Sequence, residues 1–226
     1  MTDFPFRLVG FDLDGTLVDS SADLAAAVNH VLASLDRPPL NVADVRRNIG
    51  GGGRRMLALS LAQAGIDDHD ALDTQYATLL AYYADHIADA THAYPGVTET
   101  LDRLKHAGAA LAVVTNKGER LAVKLLATLG LSRHFDCVIG GDSVANGKPA
   151  PDPILEMIRR CGGGPAAFVG DSEYDVTAAH AAGAPCVAVS FGFPGKPVAE
   201  LGADAVIDDF AALPEALRRL GAHTGR

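Results

Sequence analysis

Three observations in the 226-residue sequence predict an α/β fold, a Rossmann-like doubly wound parallel sheet with an inserted α-helical domain. A short apolar run, Phe6 to Phe11, opens the chain and ends directly in acids and a glycine. From Val97 onward helical and strand-like segments alternate, the pattern of parallel α/β architecture. Between these regions, roughly Ser21 to Tyr94 is rich in Ala and Leu at helical spacing and poor in strand-like runs. The expected division is 1–19 and 95–226 for the sheet domain and 20–94 for the helical insert.

Within the insert, Leu24, Val28, Val31, Leu32 and Leu35 define one helix, with Ser20 or Ser21 as its cap and Arg37-Pro38-Pro39 as its stop. A second helix begins near Asn41. Ile49 then runs into four consecutive glycines, Gly50 to Gly53, which no helix interior favours, so a loop precedes the apolar stripe of Arg54 to Ala64. An amphipathic stretch from Asp70 to about Ala90 completes the insert before the Tyr94-Pro95-Gly96 turn. The alternating region predicts helices over 98–106, 118–129, 153–161, 174–182 and 210–220, and strands over 109–114, 137–139, 166–169, 186–189 and 205–207. These strands are continuous apolar runs, as expected where helices cover both faces of a sheet.

A hydrophobic fraction of 48% suits a chain with a sizeable core, and a net charge of −9 argues against nucleic acid as a partner. Cys137, Cys161 and Cys186 lack metal-ligand spacing and read as reduced, buried thiols. There is no apolar stretch long enough to span a bilayer and no basic region ahead of the first strand, so the expectation is a cytoplasmic protein without a membrane partner.

Ligands of open parallel sheets bind beyond the carboxyl ends of the strands, so the residues after each apolar run carry the functional information. The first run ends in Asp12 and Asp14, two residues apart and therefore on one side of extended backbone, with Leu13 turned toward packing. Two such carboxylates repel and require a cation between them or a proton on one of them. The LAVV run ends in Thr115-Asn116-Lys117, the CVIG run leads to Gly147-Lys148-Pro149, and AAFVG ends in Asp171. Taken singly, Thr115 reads as a helix cap, Lys148 as a surface lysine and Asp171 as a cap. Together they supply acids for a hard divalent cation and a hydroxyl, amides and a lysine for a phosphate group.

The four segments, in order, resemble the motifs of haloacid-dehalogenase-superfamily phosphatases: DLDGT from Asp12, VVTN from Val113, GKPAPDP from Gly147 and GDSEYD from Gly170. The resemblance covers nearly the full length and implies the following roles. Asp12 is the nucleophile that becomes an aspartyl-phosphate, and Asp14 the proton shuttle. Asp12, the backbone carbonyl of Asp14 and Asp171 hold Mg2+. Thr115 and the Asn116 N–H bind phosphoryl oxygens, Lys148 offsets their charge, and Asp175 orients metal-bound water or Lys148. An acid at position 14 marks phosphate-ester chemistry rather than dehalogenation, and the absence of lysine from Ser21 to Tyr94 argues against phosphonate cleavage.

The insert is placed like the family's C1-type cap, which closes over the site and sets substrate choice. Its IGGGGRRM segment resembles the Gly-x-Gly loop of phosphoglycolate phosphatases, so Gly52 and Arg54 are expected to meet the nonreacting end of a small phosphate ester, 2-phosphoglycolate foremost. The alternatives are a generalist sugar-phosphate or nucleotide phosphatase and a β-phosphoglucomutase-like phosphotransferase, for which no sugar-binding cap residues are evident. A receiver-like phospho-switch shares the Asp, Thr and Lys inventory but is about half this length and phosphorylates a later strand.

Overall fold

The computed structural model describes residues 4–66 and 70–224; positions 67–69 of the expected insert and both extreme termini lie outside them. In chain order the elements are β1 (Leu8–Phe11), β2 (Val18–Asp19), α1 (Ser21–Ser34), α2 (Val42–Arg46), α3 (Gly53–Gln63), α4 (Leu72–Asp85) and β3 (His92–Ala93). There follow α5 (Val97–His106), β4 (Ala110–Val114), α6 (Glu119–Thr128), β5 (Cys137–Ile139), α7 (Asp152–Arg160), β6 (Ala166–Gly170), α8 (Glu173–Ala181), β7 (Cys186–Val189), β8 (Ala205–Ile207) and α9 (Leu213–Thr224).

Six strands form one parallel sheet in the order β5-β4-β1-β6-β7-β8. The chain leaves β1 toward one edge and later returns to build the other, which makes the carboxyl end of β1 a topological switch point. Alternation of side chains divides the core between two faces. Val9, Phe11, Leu111, Val113, Ala167 and Val169 point to the side covered by α5, α6 and α9. Leu8, Ala112, Val114, Ala166 and Phe168 point to the side covered by α7 and α8. Both faces are therefore dry, which explains the apolar runs in the sequence.

The two crossings into and out of the insert are zipped together by an antiparallel ribbon, β2 with β3, pairing Val18 with Ala93 and Asp19 with His92. Sequence patterning does not reveal these strands, because two residues are too short for a periodic signal. Helices α1 to α4 all lie between the ribbon strands and pack on one another, with Leu24, Val28, Val31, Leu57, Leu61, Leu79 and Tyr83 buried. Buried Asp23 staples the base of this bundle: its carboxylate accepts from the backbone N–H of Ala90 at 3.0 Å and of Thr91 at 2.8 Å, and from Thr91 Oγ1 at 2.6 Å.

Several local expectations shift. Ser20 does not cap α1 with its hydroxyl; Asp19 instead accepts from Ser21 N–H at 3.0 Å, and Ser20 turns to Asp14. Asn41 caps α2 through a bond from Asp44 N–H at 2.9 Å. The last helix starts at Leu213 rather than Phe210, since 210–212 forms a 3-10 turn capped by Asp209. Cys186 is buried, whereas Cys137 and Cys161 are half-buried with their sulfurs 3.1 Å apart. Among the described residues no helix is long and apolar enough to cross a membrane.

Replacing Asp23 by Ala strands the buried Thr91 donors. The expected result is a loss of about 1–3 kcal/mol in urea unfolding.

Candidate active site

The carboxyl ends of β1, β4 and β6 converge on one edge of the sheet, where Asp12, Thr115 and Asp171 are all buried. The chain leaves β1 through a tight turn in which the N–H groups of Thr16, Leu17 and Val18 all point to the Leu13 carbonyl. Gly15 adopts φ +89°, and a Cβ there would stand 2.4 Å from Asp171 Oδ2. The glycine of the first motif is thus required both by backbone conformation and by the approach of the distant acid.

Each of the paired acids has its own lysine. Lys148 Nζ lies 2.9 Å from Asp12 Oδ1, 2.6 Å from Asp175 Oδ1 and 2.9 Å from the Val114 carbonyl. Lys117 Nζ lies 2.8 Å from Asp14 Oδ2 and 4.6 Å from the centre of the Tyr83 ring on α4, while Ser20 Oγ donates to Asp14 Oδ1 at 2.6 Å. The repulsion foreseen between Asp12 and Asp14 is relieved by separating them onto two buried ammonium groups. Leu13 between them is fully buried.

Burial is the largest influence on these groups. It pushes the Asp12 carboxyl up to about 6 against the opposing pull of Lys148. It also raises Asp171 well above the usual carboxylate range, reinforced by Asp175 and Asp12. For both lysines burial favours the neutral amine, but their carboxylate partners outweigh it and shift the pKa upward, so both remain ammonium ions.

Asp175 is fully buried, and its second oxygen accepts from Asp171 N–H at 3.2 Å, Ser172 N–H at 3.0 Å and Ser172 Oγ at 2.6 Å. It therefore closes the capping box of α8 and anchors Lys148 with one side chain. Asp171 is held by Thr16 Oγ1 at 2.9 Å and by Phe193 N–H at 2.6 Å. Asn116 joins two loops, its Nδ2 donating to the Gly50 carbonyl at 3.0 Å and the Lys148 carbonyl at 2.9 Å. Thr115 Oγ1 accepts from Lys117 N–H at 3.2 Å.

A chamber of about 50 Å³ opens over these groups, lined by Asp12, Asp14, Thr115, Asn116 and Lys117 and roofed by insert residues including Met56, Leu79 and Tyr83. Gly52, with φ +90°, lines the chamber; Arg54 does not. The Arg54 guanidinium grips Asp73 at 2.8 Å and borders an outer groove with Arg55 and Arg120. Lys117 is the one cation lining the chamber among the described residues. The sequence names Lys117 at the end of the LAVV run but gives it no role of its own, because its contacts with Asp14 and Tyr83 lie far away in the chain. Tyr83 and Phe193 are both buried.

A profile of the haloacid dehalogenase-like hydrolases matches residues 9–189. The chain belongs to that family. This hydrolase is 42% identical to a phosphoglycolate phosphatase of Agrobacterium fabrum over 96% of its own length and 95% of the relative's. It is 44% identical to phosphoglycolate phosphatase 1 of Pseudomonas aeruginosa over 92% of its own length and 78% of the relative's. Among solved structures, a predicted phosphoglycolate phosphatase from Haemophilus somnus superposes with a TM-score of 0.89 at 33% identity, covering 94% of this chain and 98% of that one. CbbY from Rhodobacter sphaeroides in complex with phosphate superposes with a TM-score of 0.79 at 25% identity, covering 92% and 96%.

The hydrolase's buried acids fit a divalent cation. Oxygens of Asp12, Asp171 and Asp175 lie within 4.8 Å of one another, and among the described residues Lys148 is the one base in contact with this trio. Burial raises Asp12 and Asp171, the neighbouring carboxylates add to it, and a hard cation with oxygen ligands would offset both effects. Asp175 is saturated by its own donors, which leaves Asp12 and Asp171 as the carboxylates free to ligate.

Asp12 binds its proton more tightly in the folded state than at its ordinary value of 3.8, so its contribution to stability falls as pH rises from about 4 through about 6. Metal-free protein should gain melting temperature on going from pH 7.5 to 5.5, and Asp12→Asn should reduce that gain in differential scanning calorimetry, with Asp171 carrying the remainder.

Proposed function

We propose that this hydrolase is a magnesium-dependent phosphatase of a small, carboxylate-bearing phosphate monoester, 2-phosphoglycolate foremost, working through a phosphoenzyme on Asp12. The names of its 42–44% identical relatives support the substrate. The observation that carries the reading is Lys117, a buried ammonium facing a small chamber whose roof is otherwise largely apolar. An ester placed with phosphorus at Asp12 has its nonreacting end in that chamber. A carboxylate there meets a permanent positive charge, whereas a neutral alkyl group leaves that charge with Asp14 alone.

In the proposed reaction an Asp12 oxygen attacks phosphorus, the ester bond breaks, and Asp14 delivers a proton to the departing oxygen. Asp14 then takes a proton from the water that cleaves the acyl phosphate and regenerates Asp12. Ser20 and Lys117 fix the Asp14 carboxyl for both transfers. The Thr115 hydroxyl and the Asn116 N–H receive the phosphoryl oxygens, and Lys148, aimed by Asp175, balances charge on Asp12 and phosphate. Asp12, the Asp14 carbonyl and Asp171 would hold magnesium, which supplies charge neutralisation on the transferring group when bound. The helices of the insert act as the cap that keeps bulk water from the acyl phosphate, and Gly52 admits the substrate tail without a side chain in its path.

A panel of phosphoglycolate, ethyl phosphate, sugar phosphates and nucleotides tests this. Phosphoglycolate should give the highest kcat/KM, and Asp12→Asn should abolish turnover of every ester. Lys117→Met should lower turnover generally and reduce the preference for phosphoglycolate over ethyl phosphate by about 10–100-fold, the scale of one charge-assisted contact. A flat profile in the parent enzyme would instead mark a generalist.

A further inference from the structure

The loop after β7 lies between the insert and Asp171. On its lower side, Phe193 N–H donates to Asp171 Oδ2 at 2.6 Å, and Gly192 sits so close that a Cβ would be 2.3 Å from Asp171 Cβ and 2.5 Å from the Gly15 carbonyl oxygen. On its upper side stands Arg46, the last residue of α2. Its Nη2 donates to the Phe191 carbonyl at 3.2 Å and the Gly192 carbonyl at 3.0 Å, and its guanidinium lies 4.5 Å from the centre of the Phe193 ring. One planar cation thus contacts all three residues of the loop. The loop in turn sets the one backbone donor that orients Asp171 Oδ2, while Thr16 orients Oδ1.

We infer that Arg46 is a positioning residue for the cation site, carried by the helical insert and acting on Asp171 through the 191–193 loop. Partners of a ligating carboxylate fix its direction and leave its remaining lone pairs for the ion, so losing the support of such a partner weakens ion binding. The consequence is reciprocal: if seating Arg46 on the loop improves cation affinity, a bound cation must favour the arrangement in which α2 rests against the sheet domain. Closure of the insert and loading of the ion are then one linked equilibrium, independent of which ester is hydrolysed.

The inference rests on the reading of Asp171 as a ligand, and the test separates the two. Binding of Mn2+ to the full chain is measured by electron paramagnetic resonance of the free ion, without substrate, for the parent, Arg46→Gln, Arg46→Lys, Arg47→Gln and Asp171→Asn. Arg46→Gln should weaken Mn2+ binding by about three- to tenfold, below the 10–100-fold range for direct partners of metal ligands because Arg46 acts through the loop. Arg46→Lys should fall between it and the parent, and Arg47→Gln, whose parent side chain pairs with Asp44 on the surface, should match the parent. At saturating metal the KM of Arg46→Gln for phosphate ester should stay within about threefold of the parent, as expected of a group that does not touch substrate. Should Arg46→Gln fail to fold, Arg46→Lys carries the same comparison. Parent-like Mn2+ affinity in the Arg46 variants, with Asp171→Asn weakened, overturns the role of Arg46. Parent-like affinity in Asp171→Asn overturns the ligand reading and the inference together.

Discussion

Too much negative charge is buried at the carboxyl edge of this sheet, and the surrounding structure is organised around that excess. Among the described residues, Asp12, Asp171 and Asp175 share a site with a single contacting ammonium, Lys148, itself almost wholly shielded from solvent. A buried carboxylate without a partner costs several kcal/mol, so each must be hydrogen-bonded, ion-paired, protonated or metal-bound. Asp175 is satisfied completely, Asp12 by one lysine and Asp171 by two hydrogen bonds. What is left over is cation-binding capacity on Asp12 and Asp171.

Asp14 lies outside that trio because Lys117 and Ser20 hold it apart. This separation lets two acids only two residues apart differ in environment, one buried against Lys148 and the other lining the chamber beneath the insert. Lys117 also ties the sheet domain to the insert through the Tyr83 ring, as do Asn116 with the Gly50 carbonyl and Arg46 with the 191–193 loop. The insert therefore meets Lys117, Asn116 and the 191–193 loop at three separate points, and these three in turn contact Asp14, the Lys148 carbonyl and Asp171.

Much of this was legible in the sequence for a specific reason. A parallel sheet places its candidate site residues after apolar runs, so Asp12, Thr115 and Asp171 draw notice by position, whereas Lys148, further beyond the CVIG run, gains meaning only beside the other three. The β2–β3 ribbon was not visible, because its pairing is long-range and each strand has two residues. Nor was the fate of Arg54: its attractive position beside a glycine loop carries no information about Asp73, which claims it from a different helix. Arg46, Phe193 and Thr16 act through contacts 22 to 155 residues apart in sequence, beyond the reach of any local pattern.

The division of labour between the two acids can be observed directly. Asp14→Asn, given a phosphate ester whose leaving group needs no proton, such as p-nitrophenyl phosphate, should form the phosphoenzyme but release it slowly. Acid quench during the first turnover, followed by peptide mapping, should then find phosphate on Asp12. Phosphate on another residue, or full turnover in Asp12→Asn, would contradict the account.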